Sequence, residues 1–349
     1  MDGITLYHHH DHHREGGTSL FSTSRNFFMK RGVVDKCELE TMFDASRKRS
    51  KHSANFFSFR MLPEHFGCGN LYYFNIQIEK TMTFRSYHKI RESISGSMRS
   101  ILVDWLVLVH AAHEFSADTL FLAVSILDRL CVAKELNVCK RNFQLYGITS
   151  LMLATKYHER KPLRRKECCA YTAGCYTEDQ VEQAESQILS NIGFRLSVPT
   201  VNSFAQLYLL AAAPTVDQDT RELVQYITER SLYEMKLVEF PPSLIALSAL
   251  ILALSFTAAG PEILRCHWES IHAEANYREE DVLSCLAVIK KHLGSSTYTK
   301  SNKKLEAVDK KYPAVWALIK LQRLQHSLVV DDEADEPSAL FKCGSWQQA

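Results

Sequence analysis

The 22 residues from Phe240 to Pro261, FPPSLIALSALILALSFTAAGP, carry no charge, and no other stretch restricts the possible folds so strongly. A segment apolar on every side belongs either in lipid or at the centre of a protein core. Its length approaches that of a bilayer span. Against a membrane, two prolines open the run and three serines interrupt it. Its flanks, Lys236, Glu239, Glu262 and Arg265, also lack the one-sided basic cluster that orients a membrane helix. We read the run as a buried central helix.

The pattern around it is helical as well. From Leu71 to Leu293 apolar residues recur at helical spacing, with few glycines inside the periodic stretches and no alternating strand runs closed by Asn-Gly or Asp-Gly turns. The core is therefore expected to be all-α. Thr177 with Gln180 forms a capping box, with Glu178 and Asp179 in the first turn where the helix dipole favours carboxylates. Ser116 or Asp118 caps the helix that follows. Pro199 marks a boundary between two helical halves, because the residue before a proline is pushed out of the helical region. Beyond residue 300 an amphipathic segment, Val308 to Leu324, leads to Asp331–Glu336, where five carboxylates in six residues repel one another and stay solvated. Residues 1–67, with the His-rich stretch Tyr7–His13 and the basic run Ser46–Ser53, show no sustained periodicity and read as a largely disordered tail.

Composition then removes several function classes. The chain has 349 residues, enough for two domains and a sizeable core, and 41 Lys+Arg against 40 Asp+Glu. Such a balance points to neither a nucleic-acid nor a membrane partner. Ten cysteines lack paired C-x-x-C spacing and no secretory apolar region follows Met1, so reduced thiols in the nucleus or cytoplasm are expected. No phosphate loop is present. His113-Glu114 is followed by Ala117 where a second zinc-binding histidine would stand, and Gly67 and Gly69 lack a third glycine. Cys168, Cys169 and Cys175 do not match zinc-finger spacing and are read as buried or half-buried thiols. The chain is thus expected to be no enzyme and to need neither metal nor cofactor.

What remains informative is charge where periodicity demands hydrophobes. Asp128 sits in a nearly all-apolar helix with Leu120, Leu122, Ala123, Val124, Ile126, Leu127, Leu130 and Cys131. A lone buried carboxylate is costly, and Arg99, at the start of the equally apolar helix Met98–Val109, is its natural partner. Glu185 continues the stripe Val181, Ala184, Ile188, Leu189, Ile192, and Lys156 lies four residues after Met152 and eight after Ile148. Two readings stand for this second pair. Lys156 extends its ammonium to water while Glu185 marks a groove edge, or the two flank each other at a rim and offer a donor and an acceptor to another protein's backbone.

These positions fall in a sequence that resembles a cyclin, specifically the mitotic A/B type. Met98–Val107 (MRSILVDWLV), Asp118–Leu130 (DTLFLAVSILDRL), Leu145–Glu159 (LYGITSLMLATKYHE) and Tyr176–Pro199 (YTEDQVEQAESQILSNIGFRLSVP) are similar to successive helices of the cyclin box, in family order. The resemblance implies two tandem five-helix folds, an N-terminal box over 68–198 and a second fold over 199–299, with a C-terminal helix and acidic tail over 300–349. It implies a regulatory subunit of a cyclin-dependent Ser/Thr kinase, in the nucleus and cytoplasm. All five residues that define the box are present: Arg99, Asp128, Leu145, Lys156 and Glu185. Arg99 and Asp128 would form the internal pair, and Lys156 and Glu185 would bind the kinase, with Tyr157, Glu159, Leu189, Phe194 and Leu196 around them. A substrate- or inhibitor-peptide stripe is implied at Met98, Ile101, Leu102 and Trp105, aided by Gln144.

The chain departs from the family in places. Leu108 stands where the family carries an acidic residue that meets a basic peptide side chain, so weaker discrimination for cationic peptides is expected. His158 replaces an acidic residue, and Lys161–Lys166 (KPLRRK) replaces a proline and acidic sequence. No R-x-x-L precedes residue 98, and no Ser-Pro or Thr-Pro occurs. Two competing functions are a cyclin-fold scaffold or transcription-type factor that activates no kinase, and an all-α metalloenzyme built on the His and Cys clusters.

Overall fold

The computed structural model describes residues 66–81, 94–132, 136–212, 216–257, 277–294 and 305–320, with side chains from 71 onward. Tyr7–His13, the basic run 46–53 and Asp331–Glu336 lie outside the described residues. Within them the chain is all-α. The elements are α1 (Phe66–Thr81), α2 (Gly96–Ala112), α3 (Ala117–Val132), α4 (Phe143–His158), α5 (Arg165–Tyr171) and α6 (Glu178–Asn191). They are followed by α7 (Val201–Ala211), α8 (Gln218–Ser231), a 3₁₀ turn (Met235–Glu239), α9 (Pro242–Ser255), α10 (Glu279–Gly294) and α11 (Ala307–Lys311).

Two bundles result. In the first, α3 packs on α4, and α4 in turn meets α2, α5 and α6. Its core holds Leu106, Leu122, Ile126, Leu130, Ile148, Leu151, Met152, Val181 and Ile188, with Met235 inserted from the second half. In the second bundle α9 is the hub, touching α7, α8 and α10. Every residue from Ser243 to Leu254 is buried, as an uncharged helix requires. With 14 residues α9 is about 21 Å long, short of the ~30 Å of a bilayer's hydrocarbon. No helix among the described residues is long and apolar enough to cross a membrane. Pro242 opens α9 at its first turn, where the missing N–H costs nothing. Glu79 of α1, 3% exposed, accepts hydrogen bonds from the backbone N–H (2.8 Å) and hydroxyl (2.6 Å) of Ser243, putting a carboxylate at the positive end of α9.

Local sequence explains most helix starts. The Thr177–Gln180 box caps α6 in both directions, at 3.3 and 2.9 Å. Pro199 lies between α6 and α7, and Thr200 caps α7. The start of α3 differs from expectation. Neither Ser116 nor Asp118 supplies a cap by its own side chain. Instead Glu159, from the C-terminal end of α4, accepts three bonds at that end, and Asp118 accepts from Asn202 Nδ2 at 2.8 Å. The expected segment Val308–Leu324 is also broken: α11 stops at Lys311, ahead of Pro313, and helix resumes over 313–320.

The bundles are joined by buried polar contacts. Arg99 Nη1 donates to the Leu232 carbonyl at 2.6 Å and Ser100 Oγ to the Tyr233 carbonyl at 2.9 Å. Asp104 of α2 accepts from the Tyr233 hydroxyl and from the Ala307 N–H, both at 2.9 Å. The chain leaving the second bundle is thereby fastened to α2.

Candidate functional site

The last turn of α4 and one face of α6 meet along an open edge. Lys156 Nζ donates to Glu185 Oε1 at 2.5 Å, with the lysine side chain 41% and the glutamate 13% exposed. With its lysine open to water, the pair is expected to add little to stability, on the order of 1 kcal/mol. Sequence reading missed a third partner. Arg165 Nη1 lies 2.9 Å from Glu182 Oε2 and its Nη2 lies 4.0 Å from Glu185 Oε2. The signal was its place in the run KPLRRK, opposite two glutamates three residues apart on α6. That run is held in place: Leu163 is 2% exposed and its N–H donates to Thr155 Oγ1 at 3.0 Å.

Around the pair the apolar positions are open to different degrees. Tyr157 is exposed, with its ring edge-on to His158 at 4.8 Å, and Leu189 and Leu196 are half-buried. Phe194 is 69% exposed and has φ +56°, directly after Gly193 at φ +59°. Glycine accepts that conformation freely. A phenylalanine in it costs about 1–2 kcal/mol. A strained, solvent-facing aromatic contributes little to the core.

Glu159 is placed differently from its neighbours. Its Oε1 accepts from Ser116 N–H (2.8 Å), Ser116 Oγ (3.0 Å) and Thr119 Oγ1 (2.5 Å). Partial burial would raise its carboxyl, but these hydrogen bonds outweigh burial and hold it below the ordinary carboxylate value. Glu159 thus ties α4 to α3 and shapes the corner of the edge.

The structure brings Arg99 and Asp128 together as a buried bidentate pair, Nε to Oδ1 at 2.7 Å and Nη2 to Oδ2 at 2.8 Å. On α2, Met98, Ile101 and Trp105 are half-buried and Leu108 is 48% exposed, leaving a shallow apolar stripe with Gln144 half-buried on α4. Leu102 is 6% exposed and belongs to the floor. Gly147 explains why: a Cβ there would come within 2.8 Å of Leu102 Cδ2, so α4 presses directly on that side chain. Leu145, between them in sequence, is half-buried.

Among the described residues no group of three His, Cys, Asp or Glu side chains could hold a metal. Cys168 is buried and burial pushes its thiol up to about 12, while Cys169 is half-buried. Cys175 is exposed rather than buried or half-buried. The left-handed residues Ala173 and Gly174 turn the chain outward just before it.

With the geometry in place, comparison with known proteins gives the class. The family model described as cyclin, N-terminal domain, matches residues 71–197, and that described as cyclin, C-terminal domain, matches 199–315. The chain belongs to the cyclin family, whose members are regulatory subunits and not enzymes. Its relatives are A- and B-type. It is 31% identical to cyclin-B1-2 of Arabidopsis thaliana, over 70% of this chain and 52% of that one. It is 37% identical to cyclin-A1-4 of Oryza sativa subsp. japonica, over 47% and 46%. The chain thus spans about half the length of the curated relatives it matches. In fold it is similar to the X-ray structure of a viral cyclin from herpesvirus saimiri, with TM-score 0.51 and 16% identity over 64% of this chain and 95% of the other.

Proposed function

We propose that this chain binds and activates a cyclin-dependent Ser/Thr protein kinase, meeting it with the edge formed by α4, α6 and the turn 193–196, and that it serves mitotic entry (G2/M). The observation that carries this reading is Phe194, a strained and exposed aromatic in the turn that ends α6, the helix whose Glu185 pairs with the part-exposed Lys156. Lys156 and Glu185 exchange their bond to each other for bonds to the backbone around the kinase's mobile helix, while Arg165 withdraws from Glu185. Tyr157, Leu189, Phe194 and Leu196 supply apolar contact. Glu159 keeps its bonds to Ser116 and Thr119 and holds the corner.

Activation on this reading is a population shift. The chain binds better to the kinase conformation whose mobile helix is turned inward, with its glutamate on the catalytic lysine, and the equilibrium moves by that difference in affinity. Met98, Ile101 and Trp105, with Leu108 and Gln144 beside them and Leu102 beneath, form a shallow docking stripe for substrate or inhibitor peptides. Leu108 offers no charge to a cationic peptide. The A- and B-type relatives support the mitotic assignment. The chain acts in the nucleus and cytoplasm, in keeping with the basic run Arg47, Lys48, Arg49 and Lys51.

The test is capture from extracts of cells synchronised through the cycle, with the bound material assayed on a Ser/Thr substrate peptide. Kinase activity on the captured material that rises at mitotic entry is the expected result. Folded chain that retains no kinase activity from any stage contradicts the proposal.

A further inference from the structure

The turn that carries Phe194 is held from outside its own helix. Arg129, half-buried on α3, donates from Nη1 to the Arg195 carbonyl at 2.5 Å and from Nη2 to the Ile192 carbonyl at 3.0 Å. Those two carbonyls bracket Gly193 and Phe194, the two left-handed residues. The turn's own bonds run backward along the chain: Gly193 N–H to Ser190 O at 3.1 Å and Phe194 N–H to Leu189 O at 2.9 Å. A third, Arg195 N–H to Ile192 O at 3.2 Å, closes the turn on itself, so Arg129 adds a second donor to the Ile192 carbonyl and reaches the Arg195 carbonyl from α3.

A helix C-terminus presents unpaired carbonyls and partial negative charge, and a guanidinium answers both. Its planar fork presents two donors in a fixed geometry to two carbonyls, whereas an ammonium is a compact point charge with rotatable donors on a flexible stem. Charge-assisted bonds are also stronger than neutral ones, so they can hold a conformation that a bulky residue would otherwise leave. Asp128, the neighbour of Arg129, is locked to Arg99 and fixes this part of α3 in the core.

We propose that Arg129 is a positioning residue for the kinase-facing edge: by clamping the Ile192 and Arg195 carbonyls it keeps Phe194 in its left-handed conformation with the ring in solvent. The inference rests on the kinase-binding reading above for its consequence, but its structural half is measurable on the chain alone. Without the clamp, Phe194 relaxes toward an ordinary backbone conformation and the ring leaves the edge.

Two experiments separate the halves. The first is amide exchange on the isolated chain. Arg129→Gln should speed exchange of the Phe194 amide about tenfold, with α3 amides unchanged, and Arg129→Lys should fall between. Unchanged exchange at Phe194 in Arg129→Gln overturns the proposal. If the glutamine variant fails to fold, the lysine variant carries the same comparison.

The second is a double-mutant cycle with a purified cyclin-dependent kinase. Arg129→Gln and Phe194→Ala should each weaken binding about tenfold, and the double variant should bind within about twofold of Phe194→Ala alone. Losses that multiply in the double variant overturn the proposal, because Arg129 would then act by another route. If wild type binds no kinase while the exchange result holds, the clamp stands and the kinase reading falls.

Discussion

Left-handed backbone at a phenylalanine costs the folded chain about 1–2 kcal/mol, and Phe194, at φ +56° with 69% of its surface in water, regains none of it by burial. Asparagine tolerates that region far better. Phe194→Asn should therefore raise stability by about 0.5–1 kcal/mol in denaturant titrations while weakening kinase binding tenfold or more. A variant that is no more stable shows the turn to be unstrained. Glu159 gives a pH signature. Its carboxyl is held below its ordinary value of 4.5, burial raising it but the bonds from Thr119 and Ser116 prevailing. A depressed folded value means the stability it adds is complete above that range and is lost as pH falls through the folded value. Glu159→Gln should thus be less stable than wild type near pH 7, with the gap closing as the pH drops below about 4.5. Urea midpoints across this range provide the check, and a pH-independent gap rules the account out.

At the scale of elements, the close approach of α4 to α2 at Gly147 fixes where the apolar stripe lies. Gly147→Ala would force its methyl group against Leu102, 2.8 Å away, and should cost about 1–3 kcal/mol by overpacking while displacing the floor of the stripe. Melting temperature and peptide titration read the two effects separately, and an unperturbed melt would mean that Leu102 simply swings aside. Such contacts set the limit of what the sequence showed. The α9 run and the α6 capping box were legible because both are local: one is composition, the other a four-residue spacing. The Arg99–Asp128 pair was legible because a charge in an all-apolar helix demands a partner. The start of α3 was not, since its acceptor lies 43 residues downstream of Ser116. Nor was Arg165, whose link to Glu182 and Glu185 depends on how the 160–166 loop folds back on α6. Leu102 belongs to the docking stripe that the resemblance implies, and its burial beneath Gly147 was not legible because spacing identifies a face but not the helix that covers it.

For the whole molecule, one side chain connects three places. Arg99 is 2% exposed, forks onto Asp128 and donates to the Leu232 carbonyl, so it holds α2 to α3 and the first bundle to the second. Removing it leaves a buried carboxylate without its cation, a loss of about 3–5 kcal/mol. Arg99→Ala should lower the unfolding midpoint accordingly and loosen the junction, seen as faster amide exchange in α8 and the 3₁₀ turn as well as in α2. Exchange confined to the first bundle would mean that Arg99 does not couple the halves. Lys156 and Glu185 contrast with this pair: they lie on the open edge, where their removal should spare the fold. On the proposed function, that contrast separates a residue that builds the cyclin fold from one that meets the kinase. The most direct test titrates a purified cyclin-dependent kinase with wild type and with the Lys156→Ala/Glu185→Ala variant, following phosphorylation of a Ser/Thr peptide. The account predicts strong activation by wild type, and at least about tenfold weaker binding with little activation by a variant whose melting temperature is unchanged. Equal affinity and equal activation by the two chains would contradict it.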